Sequence, residues 1–505
     1  MLAASLAEFV TPTIDYHALA PEIILALGIC AVLLVDLFVT ERQRWITGML
    51  TGLVLLGSFV PIVTLAVLTD GARSLFDGRY VIDDFSLALK ALFVLAGYVV
   101  VLLSTNEMEE GHYYQGEYYL LMLTSVLGMV MMASSRDLVS VFVALEFLSI
   151  PAYMMAAWRK RDALSNEAGV KYYLLGVFAS AVLLYGMSLL FGIAGSTKLV
   201  DIGAAIDVSA GGSGVGLQVL AIVFVIAGFA FKVSAVPFHT WAPDTYQGAP
   251  TPVTAFLSVA SKAAGFIGIV SMVYLAFPGA ADVYQPFMWA LAALTMTVGN
   301  LLALKQTNIV RMLAYSSVSQ GGFILMPLAV AGTGDSAGPA LKAVVVYLLL
   351  YAATNLGAFA VVIAVSRTTQ SGEISIFGGL FSYAPGLTVL MTLFLASLAG
   401  IPPLSGWYAK FGAFTAVVDA GGPWGYSIAV IGAVNAVVAS AYYITVMREM
   451  WMKPAPEGRS TLVRVPAPVT AALVLCCAAT VILGVLPGLV ARFGDLADLT
   501  GAFGG

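Results

Sequence analysis

The chain has 505 residues, is 60% hydrophobic and only 10% charged, and has a mean hydropathy of +0.95. This excludes a soluble globular protein and specifies a polytopic membrane protein. A net charge of −5 without a basic tail gives nucleic acid no footing, and Cys30, Cys476 and Cys477 lie in apolar runs that form neither a disulfide framework nor a metal cluster.

The start, MLAASLAEF, lacks a basic leader region and carries Glu8, so no cleavable signal is expected. A bilayer core takes about 20 apolar residues per helix. On that ruler the sequence predicts an all-α protein of about fourteen spans: 18–39, 45–68, 84–104, 115–134, 137–158, 168–194, 215–238, 248–273, 284–304, 309–332, 339–366, 386–420, 424–449 and 465–490. The segment 386–420 is too long for one straight crossing. Its centre, LAGIPPLSGWYAK, carries Pro402–Pro403 and Gly406, and predicts one discontinuous helix of two halves. Span 7 ends in a second break, a loop holding Pro237, Pro243, Pro250 and Pro252.

With the first loop inside, the loops on that side hold 12 of the Lys and Arg residues, among them Arg42, Arg159, Lys160, Arg161 and Arg459. The other side holds 5, which predicts both termini on the non-cytoplasmic face. The remaining six cations fall within spans, and all are lysines: Lys90, Lys171, Lys232, Lys262, Lys342 and Lys410. Lysine loses its proton when desolvated and arginine does not, which suits a proton path. A short internal match also appears. Ser234-x-x-Pro237-x-x-x-Trp241 in span 7 parallels Gly400-x-x-Pro403-x-x-x-Trp407 in span 12. An offset of five spans reverses direction through the membrane, so the two units would be inverted repeats.

A lysine at the bilayer centre costs about 2.5–3.5 kcal/mol on insertion scales, so each one asks for a reason. Lys262 is near the centre of its span, too deep to reach the interface easily. Lys232 stands close to a span end but beside the Pro237 break, and Lys410 follows Pro403 by seven residues. Glu146 lies mid-span in SVFVALEFLSIPAYM and reads either as one half of a switchable pair, ionised when a lysine is near and protonated when none is, or as a purely structural carboxyl neutralised by a Ser or Tyr neighbour. Lys171, beside Tyr172 and Tyr173, reads either as part of the same path or as an interfacial anchor. Lys90 and Lys342 lie within a turn or two of span ends and are expected to snorkel to the surface. His239 and Asp244, in the loop after Lys232, read as relays to water or as helix caps, and Met131–Met132 as packing. The run GGSGVG at 211–216 follows no strand and has no G-x-G-x-x-G register, so it is a flexible loop. Without a Walker motif or cysteine cluster, this chain alone holds neither NADH, nor flavin, nor an iron–sulfur cluster.

FKVSAVPFHTWAPDTYQGAPTPVTAFLSVASKAA at 231–264 resembles the antiporter-like subunit N family of respiratory complex I, the proton-translocating NADH–quinone oxidoreductase. GVKYYLLGVFASAVLLYG (169–186), IVRMLAYSSVSQGG (309–322), YAATNLGAFAVV (351–362) and AGIPPLSGWYAKF (399–411) extend the resemblance over most of spans 4–13. It implies three N-terminal helices (1–114), a first five-helix repeat (115–273), an inverted second (274–450) and a C-terminal helix with tail (451–505), with helices 7 and 12 broken. It implies that Glu146 pairs with Lys232, that Lys262 continues the path, that Lys410 leads to the far side, and that Lys171 is the family's span-6 lysine. It also implies a bacterial-type inner membrane location among neighbouring antiporter-like and small membrane subunits, with NADH, FMN, iron–sulfur clusters and quinone in partner chains. Gln320 departs from relatives that often carry His there; glutamine cannot carry a proton. Two rivals stand beside this reading: a subunit of a multisubunit cation/proton antiporter, and a pumping-inert spacer. Co-purification with flavin and iron–sulfur proteins separates the first.

The charge bias predicts that a Ser460→Cys variant in intact cells resists a membrane-impermeant thiol reagent. Ready labelling there would reverse the orientation.

Overall fold

The computed structural model describes residues 14–40, 43–68, 71–111, 113, 115–208, 211, 214–332, 336–369, 371–455, 463–495 and 499. Glu8, Arg42, His112, Arg459, Ser460 and positions 212–213 of the glycine run lie outside them.

The first helices are α1 (Ala20–Asp36) and α2 (Trp45–Leu68). A small antiparallel hairpin follows, β1 (Arg73–Leu75) with β2 (Tyr80–Ile82), which period-counting for helices did not foresee. Next come α3 (Asp84–Glu110), α4 (Gln115–Ser134), α5 (Leu138–Ala156) and α6 (Ala163–Ala194). Polar residues start these helices by taking up free backbone amides. Asp83 and Ser86 form a reciprocal capping box on α3, Asp137 accepts from Val139 and Ser140, and Asp162 accepts from Leu164. Gly195, with φ +66°, ends α6. A short helix absent from the sequence reading, α7 (Leu199–Ala205), precedes α8 (Val215–Lys232).

Beyond the break lie α9 (Trp241–Gly248) and α10 (Thr251–Ala276), the latter containing π turns at Leu257–Ser261 and Met272–Ala276. Then follow α11 (Ala281–Ala303), α12 (Ile309–Leu325), α13 (Ala337–Thr369) and α14 (Leu380–Tyr383). The chain closes with α15 (Pro385–Ala399), α16 (Ser405–Ala420), α17 (Gly422–Met452), α18 (Ala467–Val485) and α19 (Gly488–Asp495). Among the described residues, eleven helices are long and apolar enough to cross a membrane. α10 is buried along its whole length and α13 along most of it, so these two form the axis of the bundle. α6 and α17 lie at the rim, turning Leu174 and Phe178, and Val430, Val434 and Val437, outward.

Both predicted breaks are present, and both end their first half in the same way. After α8, Ser234 adopts φ +58°, its amide donates to Phe231 O (3.1 Å), and the amide of Ala235 donates to Ala230 O (2.8 Å). After α15, Gly400 adopts φ +95°, its amide donates to Ser397 O (2.9 Å), and the amide of Ile401 donates to Ala396 O (3.0 Å). This is the paired capping pattern of a helix closed by a left-handed residue. The likeness stops at the tryptophans: Trp241 Nε1 donates to Phe231 O (3.0 Å), whereas Trp407 Nε1 is buried without an acceptor. The loop expected after Lys232 is partly helical, and it puts Asp244 in the first turn of α9, where a negative charge suits the helix dipole.

The snorkelling expected of Lys90 is wrong. Its side chain is fully buried, with Nζ 2.6 Å from Glu22 Oε1 of α1, and Tyr80 Oη donates to the same oxygen at 2.5 Å. An acidic partner delivered by another helix replaces the water that the lysine would otherwise seek. Lys342, partly exposed and paired with Asp495, is closer to the expected surface role. On the hairpin, the Lys198 ammonium bonded to Asp77 holds that exposed carboxyl below the usual range.

Helix contacts rest on small residues, as is general within membranes. A Cβ on Gly128 of α4 would stand 2.5 Å from the Leu148 amide and 2.8 Å from Ala144 O, both backbone atoms of α5. Gly128→Val is therefore expected to cost about 1–3 kcal/mol by forcing α4 from α5. Gly192→Ala, with nothing within 4 Å of the added carbon, is expected to cost nothing. Thermal unfolding in detergent reads both; equal midpoints would refute the close-packing account.

Candidate functional site

Three lysines lie in the interior at successive helix irregularities. Lys232 is the last residue of α8, Lys262 directly follows the first π turn of α10, and Lys410 stands in the second turn of α16 after the 400–404 break. Their exposures are 3%, 2% and 6%, so none reaches the surface. Irregular backbone at such depth is tolerated where it is buried in protein or lines a water-filled cavity.

Lys232 Nζ has no hydrogen-bond acceptor among the described residues. Aromatic faces surround it instead: Tyr153 of α5 at 5.1 Å and Tyr172 of α6 at 5.3 Å from ring centroids. The two rings meet edge to face at 4.6 Å, and Tyr172 stacks on Trp241 at 4.4 Å. Such faces attract a cation through the ring quadrupole. Glu146 is not in direct contact with Lys232; it accepts a hydrogen bond from Ser180 Oγ of α6 at 2.6 Å. The Glu146 carboxyl and the Lys232 side chain are held apart, each by its own cradle.

From Lys232 the polar line runs inward through α10 and α12. A Cβ on Gly265 would meet Lys232 Cβ at 3.0 Å, so the glycine one turn past Lys262 makes room for the Lys232 stem. Lys262 Nζ donates to the carbonyl of Ser317 (2.7 Å) and to its Oγ (2.6 Å). One turn on, the Gln320 amide donates to Leu398 O (3.0 Å) and to Tyr443 Oη (3.3 Å), and its oxygen accepts from Tyr347 Oη (2.5 Å). Leu398 and Ala399 close α15, and Lys410 Nζ donates to the freed Ala399 carbonyl at 2.9 Å while lying 4.8 Å from the Phe323 ring centroid. A small cavity beside Gln320 is lined by Tyr347, Tyr351, Thr354, Ser397 and Gly406, and the hydroxyls of Thr354, Ser397 and Ser405 lie 3.1–3.4 Å apart.

Lys171 does not join this line. Its Nζ lies 2.6 Å from both Glu167 and Asp244, and Asp244 also holds Arg311 at 2.7 Å, a partly exposed network across α6, α9 and α12. His239 is buried with Nδ1 unpartnered, separate from the lysines. Sequence reading missed Tyr153, Ser180, Ser317, Tyr347 and Tyr443. The run AYSSVSQ offered a signal for Ser317, but cross-helix tyrosines leave none. Among the described residues, no group of His, Cys, Asp and Glu is arranged to hold a metal ion.

Residues 135–435 match the family described as NADH:quinone oxidoreductase/Mrp antiporter, TM. The NADH-quinone oxidoreductase subunit N of Trichlorobacter lovleyi is 38% identical over 487 residues, 96% of this chain and 97% of the relative. Among solved structures, respiratory complex I from Thermus thermophilus with bound aureothin contains a similar chain. The TM-score is 0.77 at 31% identity, over 94% of this chain and 98% of the other. A chain of the Mrp complex from Dietzia sp. DQ12-45-1b superposes with a TM-score of 0.83 at 20% identity, covering 96% and 98%, a likeness of fold alone. The chain belongs to the NADH:quinone oxidoreductase/Mrp antiporter transmembrane family, and within it to the subunit N relatives of respiratory complex I.

Proposed function

We propose that this chain is a proton-translocating, non-redox membrane subunit of an NADH–quinone oxidoreductase, moving protons while quinone is reduced elsewhere in the complex. The carrying observation is the set of buried lysines Lys232, Lys262 and Lys410, each at a helix irregularity, with Ser317 bonded to Lys262 and Gln320 bonded to the α15 end that also holds Lys410. NADH, FMN, iron–sulfur clusters and quinone belong to partner subunits in this reading. The family match is common to both readings, and the subunit N relatives favour this one over the cation/proton antiporter, to which the Mrp structure adds a likeness of fold alone.

Counting α8–α9 and α15–α16 as broken single crossings gives fourteen crossings in a cytoplasmic-type membrane with both termini outside. The matched caps at Ser234 and Gly400 support two inverted five-helix units, 115–273 and 274–450, after an N-terminal set (1–114) and before a C-terminal helix and tail (451–505). The switch is electrostatic. Glu146 and Lys232 in contact would be worth about 4 kcal/mol at ~4 Å and an effective dielectric of ~20. Here they rest apart, on Ser180 and on aromatic rings. Approach of the two groups holds a proton on Lys232; separation releases it toward Lys262. Gln320 carries no proton itself. It fixes Tyr347, Tyr443 and the α15 end so that water and hydroxyls can bridge Lys262 to Lys410. Lys171, with Asp244 and Arg311, sets the field at the inner end of the same elements.

Lys232→Ala and Glu146→Ala are each expected to cut quinone-linked pumping by about tenfold or more, with the complex still assembled. Lys232→Arg is expected to fail nearly as badly, because arginine keeps its charge. Lys410→Ala is expected to abolish pumping more completely than quinone reduction in detergent, and Lys410→Glu to retain part of both. Normal proton-to-quinone ratios in an assembled Lys232→Ala complex would refute the switch.

A further inference from the structure

Helix α9 is only eight residues long, and no side chain caps its start. So short a helix does not hold itself together in isolation, and its neighbours must fix it. It lies antiparallel along the first turns of α6, with a contact at each turn. Trp241 stacks on Tyr172 at 4.4 Å and 11°, the Thr245 hydroxyl meets the Ala168 carbonyl at 3.5 Å, and a Cβ on Gly248 would stand 2.3 Å from the Leu164 carbonyl oxygen. Trp241 also reaches the other way, donating from Nε1 to Phe231 O in the last turn of α8. Through this one indole, α9 joins the Tyr172 ring to the helix end that carries Lys232.

Lys171 and Tyr172 are consecutive on α6, so they point about 100° apart round the helix. Tyr172 is fully buried, whereas the Lys171 side chain is 40% exposed. Both nevertheless reach α9: Tyr172 touches Trp241, and Lys171 Nζ lies 2.6 Å from Asp244, three residues on from that indole. Asp244 is shared with Arg311 of α12 at 2.7 Å, and Lys171 with Glu167 at 2.6 Å, so four charges from three helices close over α9. A lone exposed ion pair holds little, but a network of several charges holds more. An interfacial anchor accounts for a partly exposed lysine. It gives no account of an acidic partner supplied by the same short helix that backs the neighbouring tyrosine.

We infer that Lys171 is a positioning residue for the Lys232 cradle: its ion pair with Asp244 clasps α9 to α6 and so keeps the Tyr172 ring in place beside the Lys232 side chain. The inference rests on the proton-translocating reading above. No proton passes through Lys171; its ammonium keeps its charge throughout, held between two carboxylates. With the clasp closed, Tyr172 meets Tyr153 edge to face, and the two ring centroids stay 5.3 and 5.1 Å from Lys232 Nζ. With it open, α9 parts from α6, the indole no longer backs Tyr172, and the Lys232 side chain loses one wall of its cradle. The role needs a fixed positive charge, which sets Lys171 apart from Lys232, Lys262 and Lys410.

The test uses the assembled complex with Cys30, Cys476 and Cys477 replaced by alanine and Thr245→Cys added, since Thr245 is wholly buried against α6. N-ethylmaleimide is expected to react at position 245 about tenfold faster when Lys171→Gln opens the clasp, and no faster than in the parent when Lys171→Arg keeps it closed. Protons moved per quinone reduced are expected to fall about threefold or more in Lys171→Gln and in Trp241→Leu, and to fall no further when the two are combined. Lys171→Arg is expected to keep most of the pumping, because a fixed charge is all the clasp needs. A Lys171→Arg complex that stays closed at position 245 but does not pump overturns the inference, since Lys171 would then have to release its proton. Equal labelling of Lys171→Gln and its parent overturns the clasp, and normal pumping in an opened Lys171→Gln complex overturns its role at Lys232. Normal pumping in Lys232→Ala together with the expected labelling would instead remove the proton-translocating reading, because the labelling reads the clasp without reference to proton movement.

Discussion

A lysine charge placed away from water is the constraint on which this fold depends. Each ammonium costs several kcal/mol in hydrocarbon unless something replaces its hydration. The three central lysines find three different replacements. Lys262 has a hydroxyl and a carbonyl of one serine, Lys410 has a carbonyl freed by a helix break, and Lys232 has only aromatic faces. The supply of partners thus differs from one lysine to the next, from two oxygens of one residue to none.

The backbone irregularities serve the same constraint. The carbonyls of an uninterrupted helix are already engaged by its own amides, whereas a break leaves carbonyls without a backbone partner. Closing α15 with Gly400 in the left-handed region frees the Ala399 carbonyl, and Lys410 takes it up. Closing α8 at Lys232 turns the chain at Ser234 and brings Trp241 back onto the Phe231 carbonyl, stacking the indole on Tyr172 beside the lysine. The π turn before Lys262 sits where that residue must aim at Ser317. Irregular backbone adjoins each of these three buried cations, whereas Lys90, which has Glu22 for a partner, sits in the regular helix α3.

How much of this is legible in sequence varies with the range of the interaction. The crossings, the two breaks and the depth of Lys232, Lys262 and Lys410 all follow from local spacing, because hydropathy and proline act within a few residues. Local spacing misplaces Lys90 because its partner, Glu22, comes from a different helix, and no local pattern announces a pairing across that distance. Lys171 was legible as an ambiguous residue, path or anchor; its tie to Asp244 and Arg311 appears only once α9 and α12 are side by side. The cradle of Lys232 was invisible for the same reason: Tyr153 and Tyr172 belong to different helices, and tyrosines in apolar spans are common enough to carry no signal. Gln320 stands out locally as a side chain that cannot carry a proton, yet the three contacts that hold it all come from other helices.

The central claim is that protons cross this chain along one line of buried lysines bridged by hydroxyls and water. The most direct measurement is a cryo-EM map of the assembled, turning-over complex at a resolution that resolves ordered water. The account predicts water within hydrogen-bond reach joining Ser317, the Tyr347–Gln320–Tyr443 cluster and Lys410 in at least one state. A Gln320–Lys410 gap sealed by packed apolar side chains in every state, or a Lys410 turned to lipid, would contradict it.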